Sequence, residues 1–290
     1  HVALLGWTNV GKSTLLNRLV GEKLAAVADV PQTTRHRILG VLTLPGRGQI
    51  AFVDTPGFHD ARERMNRAMV GAARGTIGAV DLALVVVDAE RGFGRGDVAV
   101  AKAVVAGQVA RLCVLNKIDR VVPKSGLLPL MKTAVEDLAL VEAIPVSAAS
   151  GDGCDRLVER ILHHLPEGEP PFADDVLTDQ PVRALAAEWV REKILHRTRQ
   201  EIPHAAAVVV DRWLERADGV VEIEALVFVE RDSQKGIVIG KGGGLLKDVG
   251  TEARADIERL LSRKVFLTTR VEVRPDWRND PRVLAQLGIG

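Results

Sequence analysis

Short apolar runs recur through the first half of the chain: HVALLG, IAFVDT, DLALVVVDA, RLCVLNK and VEAIPVSA. Each is followed by a helical stretch or a loop. A strand buried on both faces reads as a continuous apolar run, so this rhythm predicts a largely parallel sheet covered by helices on both faces. RHRILGVLTLP, which passes through GRG into QIAFVDT, predicts an antiparallel hairpin at one edge of that sheet.

The order changes later in the chain. VRALAAEWVREKILHRTRQ reads as an amphipathic helix, followed by the strands HAAAVVVDRWLE and GVVEIEALVFVE. In the second strand Val221, Ile223, Ala225, Val227 and Val229 share one face, and Glu222, Glu224 and Glu230 take the other. A further helix carries the stripe Leu246, Val249, Ala253, Ile257 and Leu260, and VFLTTRVEV places Val265, Leu267, Val271 and Val273 together. This second domain reads as helix, strand, strand, glycine loop between helices, strand. The two patterns are separated by PEGEPPFADDVLTDQ, whose Pro, Gly and acid content is that of a linker. The expected division is 1–165, linker 166–180 and 181–290.

At 290 residues with 47% hydrophobic content the chain suffices for two folded domains. No apolar run is long enough to span a membrane, and the start on a strand-like segment without Met implies a short missing N-terminal piece. Two cysteines in unrelated contexts, Cys113 and Cys154, suit a reducing cytosol rather than a disulfide framework, and the seven His show no metal-ligand spacing. The net charge of +1 gives no bulk attraction to nucleic acid. It is uneven, however: residues 166–180 hold five acidic residues and no basic one.

GWTNVGKST fits the G-x-x-x-x-G-K-[ST] pattern between a strand and a helix. Backbone N–H groups over Gly6, Asn9, Val10, Gly11, Lys12, Ser13 and Thr14 would surround phosphates at a helix N-terminus. Lys12 would reach the β- and γ-phosphates and the Ser13 hydroxyl a Mg²⁺ ion. FVDTPG ends a strand with Asp54, which can hold Mg²⁺ through water, and the Gly57 N–H can meet a γ-phosphate. PQTTR offers hydroxyls between the first helix and the second strand; Thr34, beside Arg35, is the expected metal-sensing threonine, and Thr33 the alternative. Segments held only by γ-phosphate and Mg²⁺ are released on hydrolysis, so Thr33, Thr34 and Arg35 form a first switch and Asp54, Thr55, Pro56, Gly57 and Phe58 a second.

LNKID selects the base. Guanine presents two adjacent donors on its Watson–Crick edge, and the Asp119 carboxylate presents two acceptors. Asn116 can hold base and loop, the Lys117 stem can cover the ring, and VSAAS adds the Ser147 to Ala148 backbone. This favours GTP over ATP and disfavours a third reading, an ATP-dependent small-molecule kinase. RGFGRGD lacks the glycine spacing of a dinucleotide site and reads as an ordinary loop.

A second glycine loop, GIVIGKGGG, is one residue short of a phosphate loop and has Gly242 where Mg²⁺ would need Ser or Thr. Read as Gly240, Lys241, Gly242 and Gly243, it fits the G-x-x-G loop of a KH domain, which clamps single-stranded nucleic acid by its backbone. Lys235, Lys241, Lys247 and Arg254 are the candidate phosphate contacts. With no Tyr and ten Phe plus Trp, an aromatic stacking platform is disfavoured.

The segments NVGKST, PQTTRHRILG, DTPGF and NKID resemble the translation-factor-related class of GTPases and, within it, the Era family. With one KH-like domain following directly, the resemblance covers nearly the whole chain. It implies an α/β P-loop GTPase domain with a mostly parallel sheet, followed by an α+β type II KH domain. It also implies a Mg²⁺-dependent GTP/GDP switch that binds the 3′ end of small-subunit ribosomal RNA and acts in 30S subunit biogenesis, with GTP favouring the RNA-competent state. A monomer in the cytoplasm is expected, with peripheral association at the inner face of the cell membrane as a further expectation. Phe58 stands where Ras-like GTPases keep a water-orienting Gln, which implies slow unaided hydrolysis. Some relatives use K⁺ held by an Asn in the phosphate loop, here Asn9. Thr8 departs from the more usual Pro, and Trp7 is expected to pack near the loop. The alternative keeps the GTPase and makes the C-terminal domain a protein-docking or membrane-surface module.

Overall fold

The computed structural model describes residues 1–30, 33–58, 75–199 and 201–289. They fall into two compact units. Among the described residues the first holds 1–25, 34–58 and 75–179, and the second holds 26–30, 33 and everything from Gln180 onward.

The first unit is a six-stranded sheet in the order β2-β3-β1-β4-β5-β6. Its strands are β1 (Val2–Leu5), β2 (Ile38–Leu44), β3 (Gly48–Asp54), β4 (Leu82–Asp88), β5 (Ala110–Asn116) and β6 (Ala143–Pro145). All pairings are parallel except β2 with β3, the expected edge hairpin. The apolar runs do divide between two faces. Val2, Leu4, Leu84 and Val86 pack with α1 (Lys12–Val20) and a later helix over Cys154–His164; Ala3, Leu5, Val85 and Val87 pack with α2 (Arg95–Ala106). RGFGRGD ends in the N-terminal turn of α2, where Asp97 accepts the Gly94 N–H at 3.0 Å. A short α3 (Leu127–Lys132) precedes β6, so the helix over Cys154–His164 is α4.

The chain continues from β1 to one side of the sheet through β3 and later to the other through β4. The crevice outside the carboxyl ends of β1 and its neighbours is where open α/β sheets place ligands. Gly6, Asp54, Asp88 and Asn116 all stand at that end.

The acidic stretch expected to be a linker is bonded along the sheet edge. Val41 donates to the Leu177 carbonyl at 2.8 Å, Thr178 to the Leu39 carbonyl at 2.6 Å, and Gln49 exchanges two hydrogen bonds with the Phe172 backbone. Phe172 and Val176 pack on Leu39, Val41, Ala51 and Val53. An edge strand leaves unpaired backbone groups, and this stretch covers those of β2.

The second unit contains α5 (Val182–Arg197), α6 (Ile202–Ala205), β7 (Ala207–Glu215), β8 (Val221–Val229), α7 (Asp232–Ile239), α8 (Gly244–Leu261), β9 (Val265–Val273) and α9 (Pro281–Gln286). Its sheet runs β7-β8-β9, antiparallel then parallel. The β8 stripe Val221 to Val229 is buried as its alternation predicts, against Val190, Ile194, Val249, Ala253 and Ile257 of α5 and α8. Trp277, buried beyond β9, donates to the Ala205 carbonyl at 2.8 Å and seats the C-terminal segment that ends in α9. The expected first domain ran unbroken over 1–165, yet residues 26–30 and 33 group with α5. The reason is local: the Val27 N–H donates to Glu192 at 3.3 Å and its carbonyl meets His196 at 2.7 Å.

Candidate functional site

The turn from β1 into α1 sets the centre of the first unit's site. Lys12 is buried and its ammonium donates to the carbonyls of Gly6 at 3.2 Å and Trp7 at 2.9 Å, so it lies across its own loop. Burial lowers it to about 8, in spite of the attraction of Asp54 and Asp97. Such a cation is short of compensating charge, and an anion at the N-terminus of α1 would supply it. Gly57 lies so close that an added Cβ would stand 2.9 Å from the Thr8 Cγ2 and 3.2 Å from the Lys12 Nζ. Only glycine permits that approach.

Ser13, Thr34 and Asp54 converge. The Ser13 hydroxyl is 2.6 Å from both Asp54 Oδ2 and Thr34 Oγ1, and Thr34 lies 3.5 Å from the same carboxylate oxygen. Thr33 points elsewhere: its hydroxyl donates to the carbonyls of Val30 at 2.6 Å and Ala28 at 3.3 Å. Burial raises Asp54 to about 6, against the lowering influence of Lys12 and the Ser13 and Thr34 hydroxyls. Its Oδ1 is buried and has no hydrogen-bond partner among the described residues. A buried carboxylate oxygen without a donor, beside two hydroxyl oxygens, is the donor set of a hard divalent cation. The residues therefore fit Mg²⁺.

Thr55 is buried and donates to the Leu4 carbonyl at 2.9 Å, which fixes the start of the DTPG turn to β1. Phe58 is 7% exposed and lies in the core with Leu5 and Ile77; its N–H donates to the Gly6 carbonyl at 3.1 Å. It bridges Trp7, whose ring packs at the start of α2 beside Gly96. A buried phenyl group anchors the loop and orients no water. Arg35 is also buried.

The base motif is fastened to the phosphate loop. Asn116 donates to the Val10 carbonyl at 2.9 Å and accepts the Ala148 N–H at 3.0 Å. Lys117, in a left-handed conformation, donates to the Asn9 carbonyl at 2.8 Å and pairs with Asp88 at 2.7 Å. The Ser147 hydroxyl donates to Asp119 at 2.6 Å, which together with nearby cations holds this exposed carboxyl below its ordinary value. Asp119 thus stays ionised and accepting at neutral pH. The sequence motifs did not mark Asp88. Its only signal was its place at the end of the apolar run of β4, at the same sheet end as Asn116.

In the second unit α7 ends at Gly240, the turn occupies Lys241–Gly243, and α8 begins at Gly244. Gly240 has φ +75° and an added Cβ would meet the Leu245 Cβ at 2.7 Å, whereas Gly242 at φ +59° has open space around it. The α8 N-terminus follows that turn directly, with the Gly243 N–H donating to the Gly240 carbonyl at 3.1 Å and the Gly244 N–H to the Lys241 carbonyl. Lys241, Lys247 and Arg254 are exposed, while Lys235 is half-buried. Lys247 and Arg254 stand seven residues apart and share a face of α8. The adjacent acids Asp248 and Glu252 are taken up by Arg197, so they leave that face basic. Ile237, one turn before the loop, is 45% exposed and supplies an apolar surface that the sequence reading missed.

Known proteins match both halves. A family model described as 50S ribosome-binding GTPase matches residues 1–117, and one described as KH domain matches residues 201–278. The GTPase Era of Geobacter metallireducens is 47% identical over 288 residues, covering 99% of this chain and 96% of that protein. That of Trichlorobacter lovleyi is 48% identical with the same coverage. Among solved structures, Era in complex with MgGDPNP and nucleotides 1506–1542 of 16S ribosomal RNA has a TM-score of 0.97 at 38% identity, over 100% of this chain and 98% of that one. A variant of Aquifex aeolicus Era bound to GDP·AlF4⁻ gives the same TM-score, identity and coverage.

Proposed function

The chain belongs to the Era family of GTPases, and on that premise we propose that it is a Mg²⁺-dependent GTP switch that binds the 3′ end of small-subunit ribosomal RNA through its KH domain and assists 30S subunit biogenesis. The observation that carries the RNA half of this reading is the full-length likeness to an Era solved with MgGDPNP and a 16S ribosomal RNA fragment.

In this reading residues 1–165 bind nucleotide and 181–290 bind RNA, with 166–180 joining them. The backbone of Gly6, Asn9, Val10, Gly11, Ser13 and Thr14 and the Lys12 ammonium hold the phosphates. Ser13, Thr34 and Asp54 would hold Mg²⁺, directly or through water, and the ion would neutralise charge between the β- and γ-phosphates. Gly57 meets the γ-phosphate by its N–H. Asp119 reads the donors of guanine, Asn116 and Lys117 brace the pocket against the phosphate loop, and the Ser147 to Ala148 backbone closes its far side. Loss of the γ-phosphate frees Thr34 and Gly57, and with them the two switches. Phe58, buried, leaves the attacking water without a side-chain partner at that position, so turnover alone is slow.

We assign a K⁺ site to Asn9 on the ground that a monovalent cation there would supply charge that Phe58 cannot. Equal turnover in Na⁺ and K⁺ counts against it. Lys241, Lys247, Arg254 and Lys235 meet the RNA backbone, Gly240 to Gly243 permit its approach, and Ile237 offers an apolar wall for a base. The protein acts as a monomer in the cytoplasm. The test is RNA binding in each nucleotide state. Failure there, with GTP turnover intact, would favour a C-terminal domain that docks a protein or a membrane surface.

A further inference from the structure

The loop that closes the guanine pocket is fastened from α1 as well as by Asn116 and Asp119. Arg18, in the last turn of α1, donates from Nε to the Ala148 carbonyl at 3.1 Å and from a terminal nitrogen to the Ala149 carbonyl at 2.5 Å. Apart from the Ser147 hydroxyl on Asp119, the loop bonds within itself: Ser147 N–H donates to the Asp152 carbonyl at 2.8 Å, Gly151 N–H to the Ser147 carbonyl at 2.8 Å, and Ser150 N–H to the Ser147 hydroxyl at 3.2 Å. The Ala149 N–H has no partner among the described residues.

A trans peptide is planar, with its C=O and N–H directed to opposite sides. Drawing the Ala148 carbonyl toward α1 therefore turns the Ala149 N–H away from α1. A guanidinium on two successive carbonyls also polarises those peptides and strengthens their N–H groups as donors. Guanine carries an acceptor, the 6-oxo group, beside the two donors that Asp119 takes.

We propose that Arg18 is a positioning residue for base recognition, which holds the Ala148–Ala149 peptide so that the Ala149 N–H meets the 6-oxo group of guanine. The proposal rests on the guanine reading above. Arg18 touches neither base nor phosphate in this account. Its effect belongs to one edge position of the purine, whereas the 2-amino group is read by Asp119.

The test is displacement of a fluorescent GDP analogue from the full chain by three competitors: GDP, IDP, which keeps the 6-oxo group and lacks the 2-amino group, and the diphosphate of 2-aminopurine riboside, which lacks the 6-oxo group and with it the N1 proton, so that only the change between wild type and variant is read for each. In Arg18→Met, GDP and IDP each weaken about fivefold, the worth of one modest hydrogen bond, and the 2-aminopurine nucleotide does not. The preference for GDP over 2-aminopurine then falls about fivefold and that over IDP is unchanged. Arg18→Lys, which keeps the charge with a poorer fork, recovers part of the loss and serves alone if Arg18→Met does not fold. Equal weakening of all three nucleotides, or no weakening of any, overturns the proposal. A wild-type chain that does not prefer GDP to ADP overturns the guanine reading itself.

Discussion

Asn116 Nδ2 lies 2.9 Å from the Val10 carbonyl to which it donates, so the base motif is fastened to a phosphate loop 106 residues earlier in the chain. The same amide receives the Ala148 N–H, and the residue is 2% exposed. Base and phosphate sites are thereby one rigid piece.

Asn116→Ala leaves the Val10 carbonyl and the Ala148 N–H without their partner. Each orphaned buried group costs about 1–3 kcal/mol. The expected result is a loss of stability of about 2 kcal/mol or more by urea denaturation without nucleotide, and GDP affinity reduced on the order of a hundredfold by isothermal titration.

Asp54 and Lys12 make the nucleotide-free, Mg²⁺-free protein pH-sensitive. Asp54 titrates at about 6 when folded, above its ordinary 3.8, so the folded state holds the extra proton between those values and stability falls as pH rises through that window. Lys12 titrates at about 8, below its ordinary 10.5, so its cost is full below about 8 and is relieved as pH rises beyond it. Stability to urea in a chelator should be lowest between pH 6 and 8. Asp54→Asn should flatten the acid limb. It should gain less than the ~3 kcal/mol that the Asp54 shift implies, because Lys12 loses its nearest opposing charge.

The two threonines of the first switch separate cleanly. Thr34→Ala removes the hydroxyl beside Ser13 and Asp54, and should cut the preference for a non-hydrolysable GTP analogue over GDP on the order of tenfold in Mg²⁺. Thr33→Ala removes only a hydroxyl bonded to Val30 and Ala28, and should leave that preference within about twofold. Competition titration with both nucleotides reads the difference.

Much of this site was visible along the chain because its chemistry is local. The phosphate loop needs residues 6–14 and no other segment to be recognised, and DTPG, NKID and the alternation of β8 are as compact. What escaped depends on register. Asp88 reaches Lys117 because β4 and β5 run parallel with Asp88 opposite Asn116. Arg18 finds Ala148 130 positions away. The stretch 166–179 has linker composition, yet the unpaired backbone of β2 recruits it, and backbone groups leave no mark on side-chain pattern. The Trp277 anchor and α9 were likewise missed, since one Trp after the last alternating strand shows no periodicity.

The glycine turn of the KH unit calls for a chosen substitution. Gly240→Asp would force a Cβ against Leu245 at a left-handed φ, so it should destabilise that unit by about 1–3 kcal/mol and confound any RNA result. Gly242→Asp meets open space and pays chiefly the backbone term, about 1 kcal/mol. It should retain a near-native thermal transition while placing a negative charge where an RNA phosphate would lie, with RNA affinity down at least tenfold.

One titration reads whether the GTP switch is coupled to the RNA clip. Fluorescence anisotropy of a labelled RNA matching the 3′ end of small-subunit ribosomal RNA, against a scrambled control, is followed with the protein bound to GDP or to a non-hydrolysable GTP analogue. Selective binding, tighter with the GTP analogue and lost in Gly242→Asp, is the expected result. Equal affinity for both RNAs in both nucleotide states would contradict it.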